Sequence, residues 1–159
     1  MLISFSVPKM LPYIRAGLLQ RLGDSIYNER VKRQTIRRLG TRGKQLLLAR
    51  DPLTHEIPYD LHLWWKSRTP ERELIGVVRA ENGPARVYQL TIKRYESSCE
   101  ISGESGWRTG LQTLAWYSGD EPNAFSAETD ADGFDSPKEF RDFFVPNRCD
   151  RFDAILTKW

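Results

Sequence analysis

The sequence contains few of the residues that usually build metal or redox sites. Its two cysteines, Cys99 and Cys149, lie far apart and do not have the spacing of paired metal ligands. Cysteine usage of this kind is typical of a reducing compartment, so we expect a cytoplasmic protein. The two histidines, His55 and His62, have no cysteine or carboxylate at a ligand spacing. The sequence therefore predicts no metal and no cofactor, and a nucleophilic Cys–His pair is the alternative left open.

Long apolar runs, a signal peptide and a phosphate loop are missing as well. No run of about 18 apolar residues occurs, so we expect no membrane-spanning helix. The N-terminal MLISFSVPKM lacks the basic region and cleavage site of a secretory signal. LGTRG is too short to be a glycine-rich phosphate loop. With 159 residues, 40% hydrophobic and 28% charged, the sequence predicts one soluble globular domain over 1–159.

Charges of opposite sign are separated along the chain. Residues 15–50 carry ten Lys or Arg and two acidic residues, a net charge of +8. Residues 95–153 carry five Lys or Arg and thirteen acidic residues, a net charge of −8. The basic segment predicts a phosphate-bearing partner, and the alternative is that the two segments neutralise each other in the fold.

The pattern of apolar and turn residues predicts a mixture of short strands and helices. The predicted strands are Leu2–Ser6, Gln34–Arg38, Leu61–Trp65, Glu73–Ala80, Arg86–Tyr95, Leu114–Tyr117 and Arg151–Trp159. The predicted helices run from Pro8 to near Gly17, over Lys44–Arg50, and from the capping box at Ser136 to Pro146. A turn at 81–84 predicts that the strands on either side of it pair as an antiparallel hairpin. This order predicts an α+β domain with a small mixed β-barrel and flanking helices.

One basic segment, VKRQTIRRLG at 31–40, surrounds a single threonine hydroxyl with cations. Lys32, Arg33, Arg37 and Arg38 flank Thr35. Residues two apart on a strand share a face, so Thr35 and Arg37 are expected to point the same way. Arg37 could then bind a phosphate or carboxylate, and a lysine with a pKa lowered by neighbouring cations could deprotonate the threonine. The alternative is a solvated basic strand with an ordinary threonine.

Several tryptophans are candidate platforms on which nucleic-acid bases could stack. Trp64 and Trp65 are adjacent on a predicted strand, so one can fill the core while the other, Trp65, faces a groove. Trp107 lies in a Gly- and Ser-rich segment and is the best candidate for a ring that faces a ligand. The alternative is that all of these rings belong to the core.

The acidic stretch ETDADGFDSPKE at 128–139 partly matches the spacing of a calcium-binding loop. Asp135 occupies a position that should be apolar, and Pro137 falls inside the loop. We therefore interpret the stretch as an acidic lead into a capped helix, where carboxylates favour the helix dipole.

Two motifs, one near each end of the chain, carry a resemblance to a known family. A helix ending near IRAG precedes Lys-x-x-Thr-Ile-Arg, and DGFDSPKEFRDFF precedes FDAILTKW. Together they resemble the ASCH family, whose fold is a PUA-like barrel and whose common pattern is Gly-x-Lys-x-x-Glu-x-Arg. Lys32 and Arg37 match that pattern, whereas Arg30 replaces its Gly and Thr35 replaces its Glu.

The threonine variant is similar to small bacterial ASCH proteins that hydrolyse N4-acetylcytidine with a Lys, a Thr and an acidic residue. The resemblance implies that Lys32 deprotonates Thr35, that Thr35 attacks an amide carbonyl, and that Asp132, where the family has Glu, assists proton transfer. In this interpretation the residues that bind substrate or nucleic acid are Arg33, Arg37, Arg38, Trp65 and Trp107.

Three functional hypotheses follow from these observations. Other ASCH proteins are implicated in RNA binding or RNA cleavage, so the first is a protein that binds RNA, a nucleoside or a nucleotide in a basic groove, with a candidate hydrolytic site. The second is an amidohydrolase that deacylates N4-acetylcytidine-like nucleosides. The third is a binding or adaptor module without chemistry, which meets a protein partner through the acidic 118–135 segment.

Overall fold

A computed structural model describes residues 2–21, 32–94, 98–104, 115–118 and 151–159 of the chain. Its regular elements are β1 (Leu2–Phe5), α1 (Leu11–Arg21), β2 (Gln34–Arg38), α2 (Thr41–Ala49), β3 (Leu61–Trp65), β4 (Glu73–Val78), β5 (Arg86–Arg94), β6 (Ser98–Gly103), β7 (Ala115–Ser118) and β8 (Arg151–Lys158). Two short 3-10 turns complete the elements, at Pro8–Met10 and at Ala80–Asn82. The seven predicted strands and the first two predicted helices are confirmed, with small differences in their ends.

The strands form two sheets. One has three strands in the order β1-β3-β4, and the other has five in the order β2-β8-β5-β6-β7. β1 pairs with β3 in parallel, and the other pairs are antiparallel. The fold class is therefore α+β, as predicted. Within the described ranges these strands do not close into a barrel.

β8 is an interior strand of the five-stranded sheet because β2 and β5 pair with its two edges. Leu156 lies opposite Ile36 on one side and Tyr88 on the other, and all three are buried. Fully burying one such aliphatic side chain stabilises the fold by roughly 1.5–3 kcal/mol. The C-terminal strand is thus the element that joins the basic segment to the core.

α1 packs against the chain just before β2 through a glycine. A Cβ atom added to Gly17 would lie 2.1 Å from the carbonyl oxygen of Lys32, a distance that no side chain tolerates. The Lys32 backbone N–H donates to the carbonyl of Tyr13 at 2.9 Å. The helix was expected to end near Gly17 but continues to Arg21, because this glycine serves close packing inside the helix rather than its termination.

The predicted hairpin between β4 and β5 is wrong. β4 pairs with β3, whereas β5 has β6 on one edge and β8 on the other. Both hydrogen-bonding edges of β5 are therefore occupied, and the connection leads from one sheet to the other. Asp60 fixes this corner, because its carboxylate accepts hydrogen bonds from the backbone N–H of Ala80 at 3.0 Å and from Arg79 at 2.8 Å.

The polar region after β5 contains a strand that was not expected, β6. Ile101 of β6 lies opposite Ile92 of β5, and both are buried. The predicted helix from Ser136 to Pro146 lies outside the described residues. Of the helices in the described ranges, none has the length and apolarity that a membrane crossing requires.

Candidate functional site

A cavity of about 290 Å³ lies where β1 and β2, one edge strand of each sheet, approach the start of α2. Its lining includes four arginines, Arg37, Arg38, Arg42 and Arg68. Three hydroxyl-bearing residues also line it, Ser4, Ser67 and Thr157. None of the described residues that form this lining is acidic. The cavity is therefore strongly electropositive and suited to an anion.

Arg37 connects the two sheets at this cavity. Its guanidinium donates a hydrogen bond to the backbone carbonyl of Ser4 in β1 and lies 5.2 Å from the centre of the Phe5 ring. Phe5 in turn packs edge-on against Trp159, with ring centroids 6.1 Å apart. A cation over an aromatic face is attracted by the negative face of the ring, so these contacts hold the guanidinium in one place. At least one cation of the basic strand β2, Arg37, is thus held by contacts with β1 rather than extended into solvent.

Thr35 lies two residues before Arg37 in β2, so the two side chains are on the same face of the strand. It is directly opposite Thr157 of β8, just as Arg37 is opposite Ile155. Thr157 and Ile155 both line the cavity. Thr35 is only 6% exposed, so it is an interior residue rather than part of a solvated strand, and it is not among the residues that line the cavity. The expectation that Thr35 and Arg37 share a face is confirmed.

Lys32 precedes β2 and is buried, with 1% of its surface exposed. Its backbone is held between α1 and β2 by the hydrogen bond to Tyr13 and the contact with Gly17. Lysine is almost never fully buried unless its amine is paired, so burial at this position requires polar surroundings. The role of Lys32 as a base toward Thr35 stays a prediction.

Arg33 and Arg38 are exposed, in contrast to their neighbours in the basic segment. Arg38 lines the cavity, whereas Arg33 does not. The backbone carbonyl of Arg33 accepts a hydrogen bond from the N–H of Trp159 at 2.9 Å, which extends the pairing of β2 with the C-terminal strand. The indole N–H of Trp159 is buried and has no acceptor among the described residues.

Trp65 is half-buried and packs against the hydrophobic core from the end of β3. It is not among the residues that line the cavity. The amine of Lys66 lies 5.8 Å from the Trp65 ring and also pairs with Glu71. The structure therefore gives Trp65 a packing role, and its role in stacking on a base stays a prediction.

Two further predicted residues, Asp132 and Trp107, lie outside the described residues. The acidic stretch at 128–139 lies outside them as well. Among the residues that the structure does describe, no group of three or more His, Cys, Asp or Glu side chains could hold a metal ion.

Two arginines and two serines of the cavity were not expected from the sequence. Arg42 lies in the first turn of α2, and Arg68 follows β3 in the loop toward β4. Ser4 and Ser67 are joined by a hydrogen bond from the Ser67 backbone N–H to the Ser4 hydroxyl at 3.1 Å. A search for cations at the ends of predicted elements would have found Arg42 and Arg68, but only the fold shows that they converge.

A second arginine site lies at the other end of α2 and is fully paired. The guanidinium of Arg50 forms two hydrogen bonds of 2.5 Å to the carboxylate of Glu104 and a third of 2.6 Å to the carbonyl of Val87. Glu104 also accepts from the backbone N–H of Gln89 at 2.8 Å. The hydrogen bonds from Arg50, followed by the one from Gln89, hold the pKa of Glu104 below its ordinary value although partial burial opposes them.

Comparison with known proteins identifies no relative of this chain. The chain matches no protein-family model, no curated protein and no solved structure.

Proposed function

We propose that the chain is an ASCH-type protein with a PUA-like fold that binds RNA or a nucleoside in the arginine-lined cavity, and that Lys32 and Thr35 form a candidate hydrolytic site beside it. The observation that carries the proposal is the meeting of four arginines, with no acidic residue among the described residues of the lining, around a cavity whose wall residue Thr157 lies opposite Thr35. Function in the cytoplasm is part of the same proposal.

The lining of the cavity suits both parts of a nucleotide-like ligand. Arginine binds phosphate oxygens through two parallel N–H donors, which gives geometric selectivity as well as affinity. Leu2, Leu46 and Ile155 supply an apolar wall on which a base or a ribose can pack. The hydroxyls of Ser67 and Thr157 supply neutral hydrogen-bonding groups for the same ligand.

The proposed chemistry is acyl transfer. Lys32, which is buried three residues before Thr35, would accept the proton of the Thr35 hydroxyl. The Thr35 oxygen would bond to the amide carbonyl carbon, the carbon–nitrogen bond would break with return of a proton to the leaving amine, and water would then release the acyl group. Asp132 would assist the proton transfers. Arg37, held over Phe5, would stabilise the developing negative charge on the carbonyl oxygen.

Turnover of N4-acetylcytidine tests the hydrolytic part directly. Thr35→Val keeps the shape of the side chain and removes the hydroxyl, whereas Thr35→Ser keeps a hydroxyl at the same position. We expect Thr35→Val to lower the rate of cytidine release by at least about a hundredfold and Thr35→Ser to retain part of it. Equal rates for the wild type and Thr35→Val would remove Thr35 from the mechanism.

Binding of a short labelled RNA at several salt concentrations tests the binding part. Contacts to phosphates release counterions, so the affinity should fall linearly with salt on a logarithmic scale. A protein that binds RNA with this slope but does not turn over any acylated nucleoside would be a binding protein without chemistry. If RNA does not bind, and a protein partner binds independently of salt, the adaptor hypothesis replaces this one.

A further inference from the structure

The first turn of α2 forms part of the cavity wall and is open to an anion. Gly40, the residue that precedes the helix, and Gly43 both line the cavity. The helix has no side-chain cap at Gly40 and no acidic residue in its first turn. The first hydrogen bond of the helix runs from the N–H of Lys44 to the carbonyl of Gly40 at 3.0 Å, so the N–H groups of residues 41–43 have no acceptor within the helix.

Arg42 lies in this first turn, where the helix dipole disfavours a positive charge. Natural helices commonly place Asp or Glu there instead. An arginine at this position raises the free energy of the empty protein, and an anion in the cavity would interact favourably with both the guanidinium and the helix end. The placement of Arg42 is therefore unfavourable for folding and favourable for binding an anion.

Arg68 approaches the same cavity from the opposite sheet. The chain leaves β3 through Lys66, which has the left-handed backbone angle φ of 43°. The N–H of Lys66 donates to the carbonyl of Phe5 at 2.8 Å, and the N–H of Ser67 donates to the Ser4 hydroxyl. These bonds to β1 fix the turn, so that Arg68 lines the cavity although it lies far from Arg42 in sequence.

We infer that this cavity is a phosphate subsite, and that the preferred ligand is a nucleotide or an RNA rather than a free nucleoside. Arg42 and Arg68 hold the phosphate from two sides, and the start of α2 donates backbone N–H groups to it. The inference rests on the proposed function, but it names the chemical group that the cavity selects. A free nucleoside would bring no negative charge to Arg42 and Arg68.

Calorimetric titration with cytidine and cytidine monophosphate separates the inference from the proposed function. We expect the monophosphate to bind at least about tenfold more tightly, and the Arg42→Gln/Arg68→Gln double variant to lose that advantage while it still binds cytidine. Equal affinity for the two ligands would overturn the phosphate subsite and leave the proposed function intact. Failure of cytidine, cytidine monophosphate and short RNA to bind at all would overturn the proposed function, and the inference with it.

Gly40→Asp and Gly40→Asn form a matched pair of variants, because their new side chains have the same shape and differ in charge. A Cβ atom at Gly40 would meet no atom within 4 Å, and its φ of −100° with ψ of −173° is accessible to any residue. Asp and Asn both cap helices well, so Gly40→Asp and Gly40→Asn should fold at least as stably as the wild type. We expect Gly40→Asp to bind cytidine monophosphate at least about tenfold more weakly than Gly40→Asn does, because both side chains occupy N–H groups at the helix start but only the aspartate repels the phosphate. The two variants should bind cytidine equally. Equal affinities of the two variants for the monophosphate would contradict the subsite.

The source of the phosphate is tested with two competitors. Inorganic phosphate should displace cytidine monophosphate only at much higher concentration, because the apolar wall contributes to binding of the nucleotide. A phosphoserine peptide that binds more tightly than cytidine monophosphate would overturn the assignment to nucleotides.

Discussion

The two ends of α2 use arginine in opposite ways. At the C-terminal end, Arg50 is bound by a carboxylate and a backbone carbonyl, with only 12% of its side chain exposed. At the N-terminal end, Arg42 is exposed and lines a cavity that no acidic residue joins in the described part of the chain. A charge that is partly removed from water needs its counter-charge beside it, because a buried charge without a partner destabilises the fold. A charge that binds a ligand is kept accessible, so the difference supports the proposal that the N-terminal end binds the ligand.

The largest loss of stability should follow from a substitution at the C-terminal end of α2, where Arg50 is paired with Glu104. Glu104→Gln removes the charge that both Arg50 nitrogens contact and leaves the guanidinium partly buried. We expect the free energy of unfolding to fall by about 1–3 kcal/mol, measured by urea denaturation. Glu71→Gln, which affects the exposed pair with Lys66, is the matched control and should change it less, because solvent screens an exposed pair. Equal effects of the two variants would mean that the Arg50 site is not a structural one.

Acid should disrupt the same end before it affects the cavity. The pKa of Glu104 lies below its ordinary value of 4.5, first because of its hydrogen bonds from Arg50. A carboxyl with a lowered pKa in the folded state stabilises the protein above its unfolded pKa, and that contribution disappears as the pH falls through the folded pKa. The unfolding free energy should therefore drop below about pH 4.5, with a shallower dependence in Glu104→Gln.

Part of the acid dependence should remain in that variant. Asp51 and Asp60 also have pKa values below their ordinary range, Asp51 through backbone hydrogen bonds from Thr54 and Leu53, and Asp60 through the one from Ala80. Denaturation of the wild type and of Glu104→Gln across this pH range checks the difference. Superimposable pH profiles would show that Arg50 does not hold Glu104 ionised.

The smallest change in stability should follow from a substitution at the N-terminal end of α2, where Arg42 lines the cavity. Arg42→Gln removes a cation from a helix start, where a positive charge is unfavourable, and breaks no contact of the core. We expect the free energy of unfolding to stay within about 1 kcal/mol of the wild type, or to rise, while RNA affinity falls and its salt dependence weakens. A marked loss of stability in Arg42→Gln would erase the contrast between the two ends of α2.

The local elements of the fold could be predicted, but their partners could not. β2 has its predicted ends because Thr35 and Ile36 favour a strand and a glycine follows soon after at Gly40. The turn after β4 suggested a hairpin because turn residues report local geometry and not which strands compete for an edge. β5 pairs with β8, which lies about sixty positions later in the chain, and no local pattern encodes that pairing.

The candidate site also has features that the sequence predicted and features that it did not. The period of a strand was sufficient to place Thr35 and Arg37 on one face. Arg42 and Arg68 were missed because their meeting depends on how α2 and the loop after β3 pack around β1. The burial of Lys32 could not be predicted from the sequence either, because lysine is ordinarily a surface residue.

The contact between Gly17 and the backbone of Lys32 has an evolutionary consequence. A methyl group at position 17 would force α1 away from the strand that carries Thr35, and the lysine would then lose its cover. Selection for the buried amine therefore acts on a residue in another element that has no side chain of its own. In a set of homologous sequences, glycine at this helical position should accompany the lysine, and lineages that lost one should have become free to lose the other.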